Sequence, residues 1–389
     1  MTLAGPYVDT IPSAPPLAPT LRDRFADWRN RLYASAAFQR WAGRVPGLRT
    51  VARSRSRALF DVVAGFAYTQ TLAACVRLDL FALLNEEPLT SAELARRLSL
   101  PLDGVERLLK AAAALKLLER RSANRWGLGR VGAPILASPG LGQMIEHNAL
   151  LYEELRDPLA LLRRSPVDRG TALAQYWPYA ADARRERVGP ADVAGYSSLM
   201  TATIQPIADE VLDAVALSGA TRLMDVGGGD GGFLSAVGKR HPHLRLSLFD
   251  LPPVAARATR RLRDAGLADR AEVHGGDFHK DPLPPGADVV SLVRVCLDHD
   301  DTAVLGLMHR IREALPQHGR IVVAEPFADS RGTEVVGDVY FGFYLWAMGR
   351  GRARTREEIR GLLRAAGFRR VHERPTRYPV QCGVLVGHA

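Results

Sequence analysis

Cysteine is scarce in this chain. Three residues, Cys75, Cys296 and Cys382, lie far apart and are odd in number. That spacing excludes a disulfide-stapled scaffold and offers no paired-cysteine zinc motif. A reducing, cytoplasmic compartment is the expectation, and no N-terminal stretch has the layout of a signal peptide. Long uninterrupted apolar runs are also lacking. The most apolar stretch, residues 59–84, is broken by Asp61, Gln70, Arg77 and Asp79, so it reads as a poor membrane span. The net charge is +10, yet no block of five or more like charges occurs. The arginines are therefore expected to be spread over solvated faces, and no nucleic-acid partner is expected.

The chain that remains divides into three expected parts. Residues 1–56 begin with Pro6, Pro12, Pro15, Pro16 and Pro19, which mark an extended leader. A basic arm follows, with Phe25, Trp28 and Leu32 on one helical face and Arg22, Arg24, Arg29 and Arg31 around them. Such a helix suits a peripheral position on a membrane surface or the side of a partner subunit, and the residues leave both open. Residues 57–190 open with a helical stretch over 59–84. Then Thr90-x-x-Glu93 forms a capping box, Asp103-x-x-Glu106 reads as a second helix start, and residues 117–128 read as a hairpin turning at Ser122-Ala123-Asn124. Helix–turn–helix plus hairpin is a winged-helix pattern. Its second helix runs into Ala111–Ala114, a packing surface more than a base-reading one, so dimerisation is favoured over DNA binding. Residues 140–200 read as mostly helical and carry His147, Tyr152, Tyr176, Trp177, Pro178 and Tyr179. Helices at such a junction often roof a ligand pocket.

Residues 191–389 alternate strands with helices. Candidate strands are 222–226, 245–249, 271–274, 289–293, 319–324, 370–373 and 383–386. That order predicts a doubly wound, Rossmann-like α/β sheet. Thr355-x-x-Glu358 caps the last helix and Gly367 ends it. The first strand ends in Asp225-Val226-Gly227-Gly228-Gly229-Asp230-Gly231-Gly232 and a helix follows. Two cofactors fit this turn. Gly227, Gly229 and Gly232 match the dinucleotide pattern. Asp225 with Gly227, Gly229 and Gly231 matches the pattern of enzymes using S-adenosylmethionine (SAM). The glycines alone do not decide. Further on, Asp250 ends a strand beside Leu251, where a carboxylate can accept two ribose hydroxyls, and Gly275-Gly276-Asp277-Phe278 follows the next strand, where an acid and an aromatic can hold adenine. A dinucleotide domain has no specific need for that third signature, so SAM is favoured, with S-adenosylhomocysteine as product and no metal.

These residues carry a resemblance. DVGGGDGG (225–232), FDLP (249–252), GGDFHKDPLP (275–284), RVCLDHDD (294–301) and VVAEPF (322–327) resemble class I SAM-dependent O-methyltransferases. With the winged-helix module, residues 57–389 look like the plant-type and acetylserotonin-type enzymes, which implies a homodimer built through the N-terminal domain. Within them the Arg-rich arm, SPGLGQMIEHNALLYEELRDPLALLRR (138–164) and DVYFGFYLWAMGRGRARTREEIRGLLRAAGF (338–368) are similar to the bacterial demethylspheroidene branch. That likeness implies methylation of a tertiary hydroxyl on an acyclic carotenoid. The likeness to the acetylserotonin-type enzymes implies that Arg294 contacts the cofactor.

One departure bears on the chemistry. The plant-type enzymes carry a catalytic histidine where this chain has Leu297. Candidates to take the proton are then Asp298, His299 and Glu325, with His147 more distant. A lipophilic acceptor needs an apolar slot, and Leu297, His147, Phe341, Tyr344 and Met348 are expected to line it, with Phe343 and Trp346 near in sequence. Phenolic, polyketide and bacteriochlorophyll-type acceptors remain open. So do a SAM-sensing DNA-binding regulator and, on glycine spacing alone, an NAD-dependent oxidoreductase.

Overall fold

The computed structural model describes residues 20–164, 170–176, 194–330, 335–379 and 381–389. The proline-rich leader and Trp177, Pro178 and Tyr179 lie outside them. The chain forms two compact units, Met1–Thr71 and Leu72–Ala389.

The described residues of the first unit are mostly helical. Thr20 and Asp23 close a capping box on helix Leu21–Ala34, and Ser35 caps the short helix Ala36–Ala42. Helix Pro46–Arg77 then runs through 32 residues and across the boundary between the units. Sequence reading started this helix at 59, because the Arg-rich stretch before it has no apolar period. Arginine and alanine are nevertheless good helix formers and extend it backwards. By length and composition alone, and alone among the described residues, this helix is long and apolar enough to cross a membrane, with a window of mean hydropathy 1.4. Leu59, Phe60, Val62, Val63 and Phe66 along it are exposed.

The second unit opens with a small module. The expected helix over 59–84 is in fact two, because Asp79 adopts a left-handed φ of 51° before helix Leu80–Glu86. Strand β1 (Leu89–Thr90), helix Ser91–Leu98, helix Leu102–Ala114, β2 (Leu118–Arg120) and β3 (Arg125–Leu128) follow, the sheet order being β1-β3-β2. The Thr90–Glu93 capping box forms. Asp103 does not cap: the helix begins one residue earlier behind Pro101, leaving Asp103 in the first turn, where its charge still suits the helix dipole. Cys75, Leu80, Phe81, Leu94, Leu109, Ala112 and Trp126 close the core.

The main sheet has seven strands: β4 (Arg222–Val226), β5 (Arg245–Asp250), β6 (Ala271–Gly275), β7 (Val289–Val293), β8 (Arg320–Glu325), β9 (Arg370–Arg374) and β10 (Gly383–His388), in the order β6-β5-β4-β7-β8-β10-β9. Strands β4 to β8 pair in parallel and β10 is antiparallel to both its neighbours. One apolar core holds helices Ala194–Ala214, Gly232–Arg240 and Pro252–Asp264 on one face, and another holds Asp301–Ala314 and Arg356–Ala365 on the other. The chain steps outward from β4 through β5 and β6, then returns to β7 on the opposite side of β4. Ligands of open α/β sheets bind at the carboxyl ends of strands beside such a reversal. Helices Pro139–Leu155, Pro158–Arg163, Ala172–Tyr176 and Gly342–Met348 share a separate apolar cluster, against which Met200 and Leu297 also pack.

Candidate active site

The glycine turn after β4 is built for close approach. Gly227, Gly229 and Gly231 have φ of 68°, 60° and 85°, a region costly for residues with a side chain. A Cβ on Gly227 would lie 2.9 Å from Val295, whereas one on Gly229 would meet nothing within 4 Å. The loop is therefore pinned on one side and open on the other. Asp250 ties it to β5: its carboxylate accepts from Gly229 N at 2.8 Å and from Leu251 N at 2.7 Å. Asp225 lies beneath the turn, fully buried, and accepts from Ser291 Oγ at 2.6 Å. Asp277 accepts from His279 N at 2.9 Å, and the Phe278 ring stands edge-on to His299 at 5.3 Å. Residues placed apart in sequence as adenine and ribose ligands thus meet along one edge of the sheet. An open glycine cradle with a half-buried carboxylate at its mouth fits the adenosyl end of SAM.

The loop after β7 is held from three directions. Arg294 sits at φ 58° and sends its guanidinium to Thr203 Oγ1 at 2.8 Å and Met200 Sδ at 2.9 Å. Glu325, at the end of β8, accepts from the amides of Val295 at 2.9 Å and Cys296 at 2.6 Å. Its other oxygen, Oε2, is buried and makes no hydrogen bond among the described residues. Arg354, 3% exposed, donates to the carbonyls of Cys296 at 2.6 Å and His299 at 2.7 Å and pairs with Asp301 at 2.7 Å. Sequence reading missed Arg354. Nothing local marks it, since its partners lie some fifty residues away.

The expected slot residues come together. His147 Nε2 lies 2.7 Å from Tyr344 Oη, and its ring stacks obliquely on Tyr176 at 4.6 Å. Tyr340, also missed, donates to Asn148 Oδ1 at 2.9 Å. Leu297 and Phe341 pack half-buried against the cluster that contains Tyr344 and Met348. Met348 is fully buried and Tyr344 7% exposed, so both also serve as core. Trp346 donates to the carbonyl of Leu161, holding the short helices together.

Four carboxyls gather at this carboxyl edge, and burial is the leading cause that raises each. Asp225 is pushed up to about 7, with the Ser291 bond opposing. Asp250 rises to about 6 against the two amide bonds it accepts. Asp298 rises to about 7 against the pull of Arg294. Glu325 rises to about 8. Burial lowers His147, which keeps its ring neutral near pH 7. The three cysteine thiols are buried and unpaired.

Comparison with known proteins agrees with this geometry. An O-methyltransferase domain matches residues 175–369 and an O-methyltransferase dimerisation domain matches residues 60–138. The chain is 46% identical to the demethylspheroidene O-methyltransferase of Cereibacter sphaeroides, across 87% of this chain and 88% of that one. It is 38% identical to the enzyme of the same name from Rhodobacter capsulatus, across 96% and 92%. The crystal structure of human N-acetylserotonin methyltransferase in complex with SAM superposes with a TM-score of 0.69 at 25% identity, covering 86% of this chain and 97% of that one. The chain thus belongs to the SAM-dependent O-methyltransferases that join an N-terminal dimerisation domain to a Rossmann-like catalytic domain.

Proposed function

We propose that this enzyme methylates the tertiary hydroxyl of an acyclic carotenoid and works as a homodimer. The observation that carries the acceptor is Leu297. An apolar side chain stands where plant-type relatives place a histidine, and it packs into an aromatic and aliphatic cluster with Phe341, Tyr344 and Met348. An alkyl-rich acceptor suits such a wall, while a phenol gains from a base there. The two demethylspheroidene O-methyltransferases, matched over most of their length, support the same choice.

When bound, SAM supplies an electrophilic methyl on a sulfonium, so the protein's part is alignment and proton handling. Asp250 would accept the ribose hydroxyls through the lone pairs left over from Gly229 N and Leu251 N. Gly227 and Gly229 would let the backbone come close, with Asp225 bracing the turn from below, and Asp277 and Phe278 would flank the adenine. Arg294 would close the cofactor side through its bonds to Thr203 and Met200. Asp298 is the proton acceptor in this reading. It is half-buried, electrostatically coupled to Arg294, and pushed up to about 7 by burial, which suits a general base near neutral pH. Glu325 instead spends one oxygen on two backbone amides and, raised to about 8, holds its proton near neutrality. Its role is to position the loop. His299 faces Phe278 and His279 and is assigned to the adenine side. Orientation of the acceptor alone is worth up to roughly 7–11 kcal/mol, so the missing histidine does not preclude turnover.

The test is incubation of the purified enzyme with methyl-labelled SAM and separate hydroxylated acyclic carotenoid, phenolic and bacteriochlorophyll-type acceptors. Label on the carotenoid ether is expected. Label confined to a phenol or porphyrin acceptor rejects the reading.

A further inference from the structure

The chain's positive charge is not spread over its faces, as its lack of charge blocks had suggested. Residues 20–57 hold ten arginines against Asp23 and Asp27, so this arm carries +8 of the net +10. Among the described residues, only Arg57 of the ten makes an ion pair. The arm's first helix, Leu21–Ala34, buries none of its residues. At about 100° per residue, Leu21, Phe25, Trp28 and Leu32 fall within an arc of roughly 60°. Arg22 and Arg29 flank that stripe on one side and Arg24 and Arg31 on the other, while Asp23, Asp27 and Asn30 lie opposite. Leu21, Phe25 and Trp28 are 85%, 60% and 57% exposed.

The arm also stands outside the scaffold that carries the chemistry. The dimerisation domain begins at residue 60, and the human structure, covered over 97% of its own length, spans only 86% of this chain. The Rhodobacter capsulatus relative spans 96%, which must include most of the arm. The arm is thus an addition shared with a relative named for a carotenoid substrate.

We infer that helix Leu21–Ala34 is a membrane-surface anchor that docks on anionic lipid. The stripe would sink to the headgroup–acyl boundary, where Trp and Phe are at home, and the flanking arginines would meet lipid phosphates. The acidic face would remain in water. A carotenoid acceptor, if the proposed function holds, is dissolved in that bilayer, so the anchor would bring the enzyme to its substrate.

Flotation of the full-length protein with phosphatidylcholine vesicles, with and without phosphatidylglycerol, tests this. Binding should be at least about tenfold greater to the anionic vesicles and should weaken as salt screens the arginines. Phe25→Ser/Trp28→Ser should lower it about tenfold, and Arg22→Gln/Arg29→Gln should lower it on anionic vesicles only. SAM affinity, measured by calorimetry, should be unchanged in both variants, which shows that they are folded. Equal flotation with both lipids overturns the inference, as does flotation indifferent to Phe25 and Trp28. Conversion of a dimer to a monomer by Phe25→Ser/Trp28→Ser also overturns it, since the stripe's occupant would then be a second copy. Retention on duplex DNA matching that on vesicles would overturn it in favour of nucleic acid. Because flotation needs no methyl acceptor, its outcome is independent of whether label appears on a carotenoid.

Discussion

Leu297→His puts back the side chain that plant-type relatives use, and it should make this enzyme slower. The loop cannot move aside to accommodate the ring. Leu297 lies in the tight turn Cys296–Asp298, and its carbonyl would be 2.1 Å from a Cβ on Gly351, which sits at φ 79°. The flanking carbonyls of Cys296 and His299 are gripped by Arg354. The new imidazole must therefore occupy the half-buried space beside the cluster of Leu151, Tyr344 and Met348. Burying a polar ring without a partner costs about 1–3 kcal/mol. Where the substrate normally supplies the facing surface, that cost falls on the bound state. At about 1.36 kcal/mol per factor of ten, the rate should fall roughly 5- to 150-fold. Initial rates on a hydroxylated acyclic carotenoid, taken at several pH values for both proteins, measure it. A large gain in rate with a new limb near pH 6.5, the ordinary histidine pKa, would show that the site still wants a base at this position and that the apolar-wall argument is wrong.

Asp298→Asn should lower kcat on the carotenoid by about 10²-fold or more and remove a rise in rate centred near pH 7, because the wild-type carboxyl gains its proton-accepting form only above that value; an unchanged pH profile would move the proton elsewhere. Asp250→Ala should weaken SAM binding more than about tenfold, charge-assisted hydrogen bonds being worth about 1.5–3 kcal/mol, and calorimetry would show it. Glu325→Gln should become more stable relative to wild type as pH climbs from about 4.5 to about 8. In that window the unfolded chain has released the Glu325 proton and the folded chain has not, so wild-type stability declines with pH while the amide is indifferent; parallel urea curves across the range would refute this. Phe60→Ser/Phe66→Ser should give a monomer by light scattering at micromolar concentration, since both rings are exposed at the start of the dimerisation domain.

What was legible in the sequence follows from how local each signal is. The capping boxes at Thr90–Glu93 and Thr355–Glu358 need only four residues, and both form. The inner strands β4, β5, β7, β8 and β10 were legible as short apolar runs, because a sheet covered on both faces wants them there. Their ends were read short by a residue where a polar group finishes the strand, as at Asp250 and Glu325, since hydropathy stops there while the hydrogen-bond ladder continues. The placement of the candidate cofactor residues was legible because Gly227, Asp250 and Asp277 each lie at or just after the end of successive strands. The roof was not. His147 and Tyr344 are 197 residues apart, Tyr340 and Asn148 are 192, and the Arg354 clamp crosses 58 to reach Cys296. No periodicity encodes such pairs. The basic arm was legible in composition, but its share of the chain's net charge was not, because its arginines alternate with other residues and so form no block.

The loss of the histidine is easier to understand from the acceptor's side than from the enzyme's. A phenol ionises near pH 10, only about 3.5 units above an ordinary histidine, so such a base can usefully take the proton as the methyl transfers. An alkyl alcohol is about as weak an acid as water, whose pKa is about 15.7. A base of pKa 6.5 cannot generate a useful fraction of alkoxide, and an imidazole in the slot would exclude part of an apolar substrate for no return. The situation reverses once the oxygen has begun to bond to the methyl, because the hydroxyl proton then becomes strongly acidic and almost any carboxylate can take it. What such a reaction asks of the protein is a tight apolar slot that fixes the oxygen in line, and a proton acceptor that is ionised near neutral pH and need not be strong. In the proposed reading Leu297 would supply part of the slot, and Asp298, the next residue, pushed up to about 7 by burial against the pull of Arg294, would supply the acceptor. On this view the two adjacent positions divide between them what one histidine does for a phenol, and exchanging the acceptor class should require changing both.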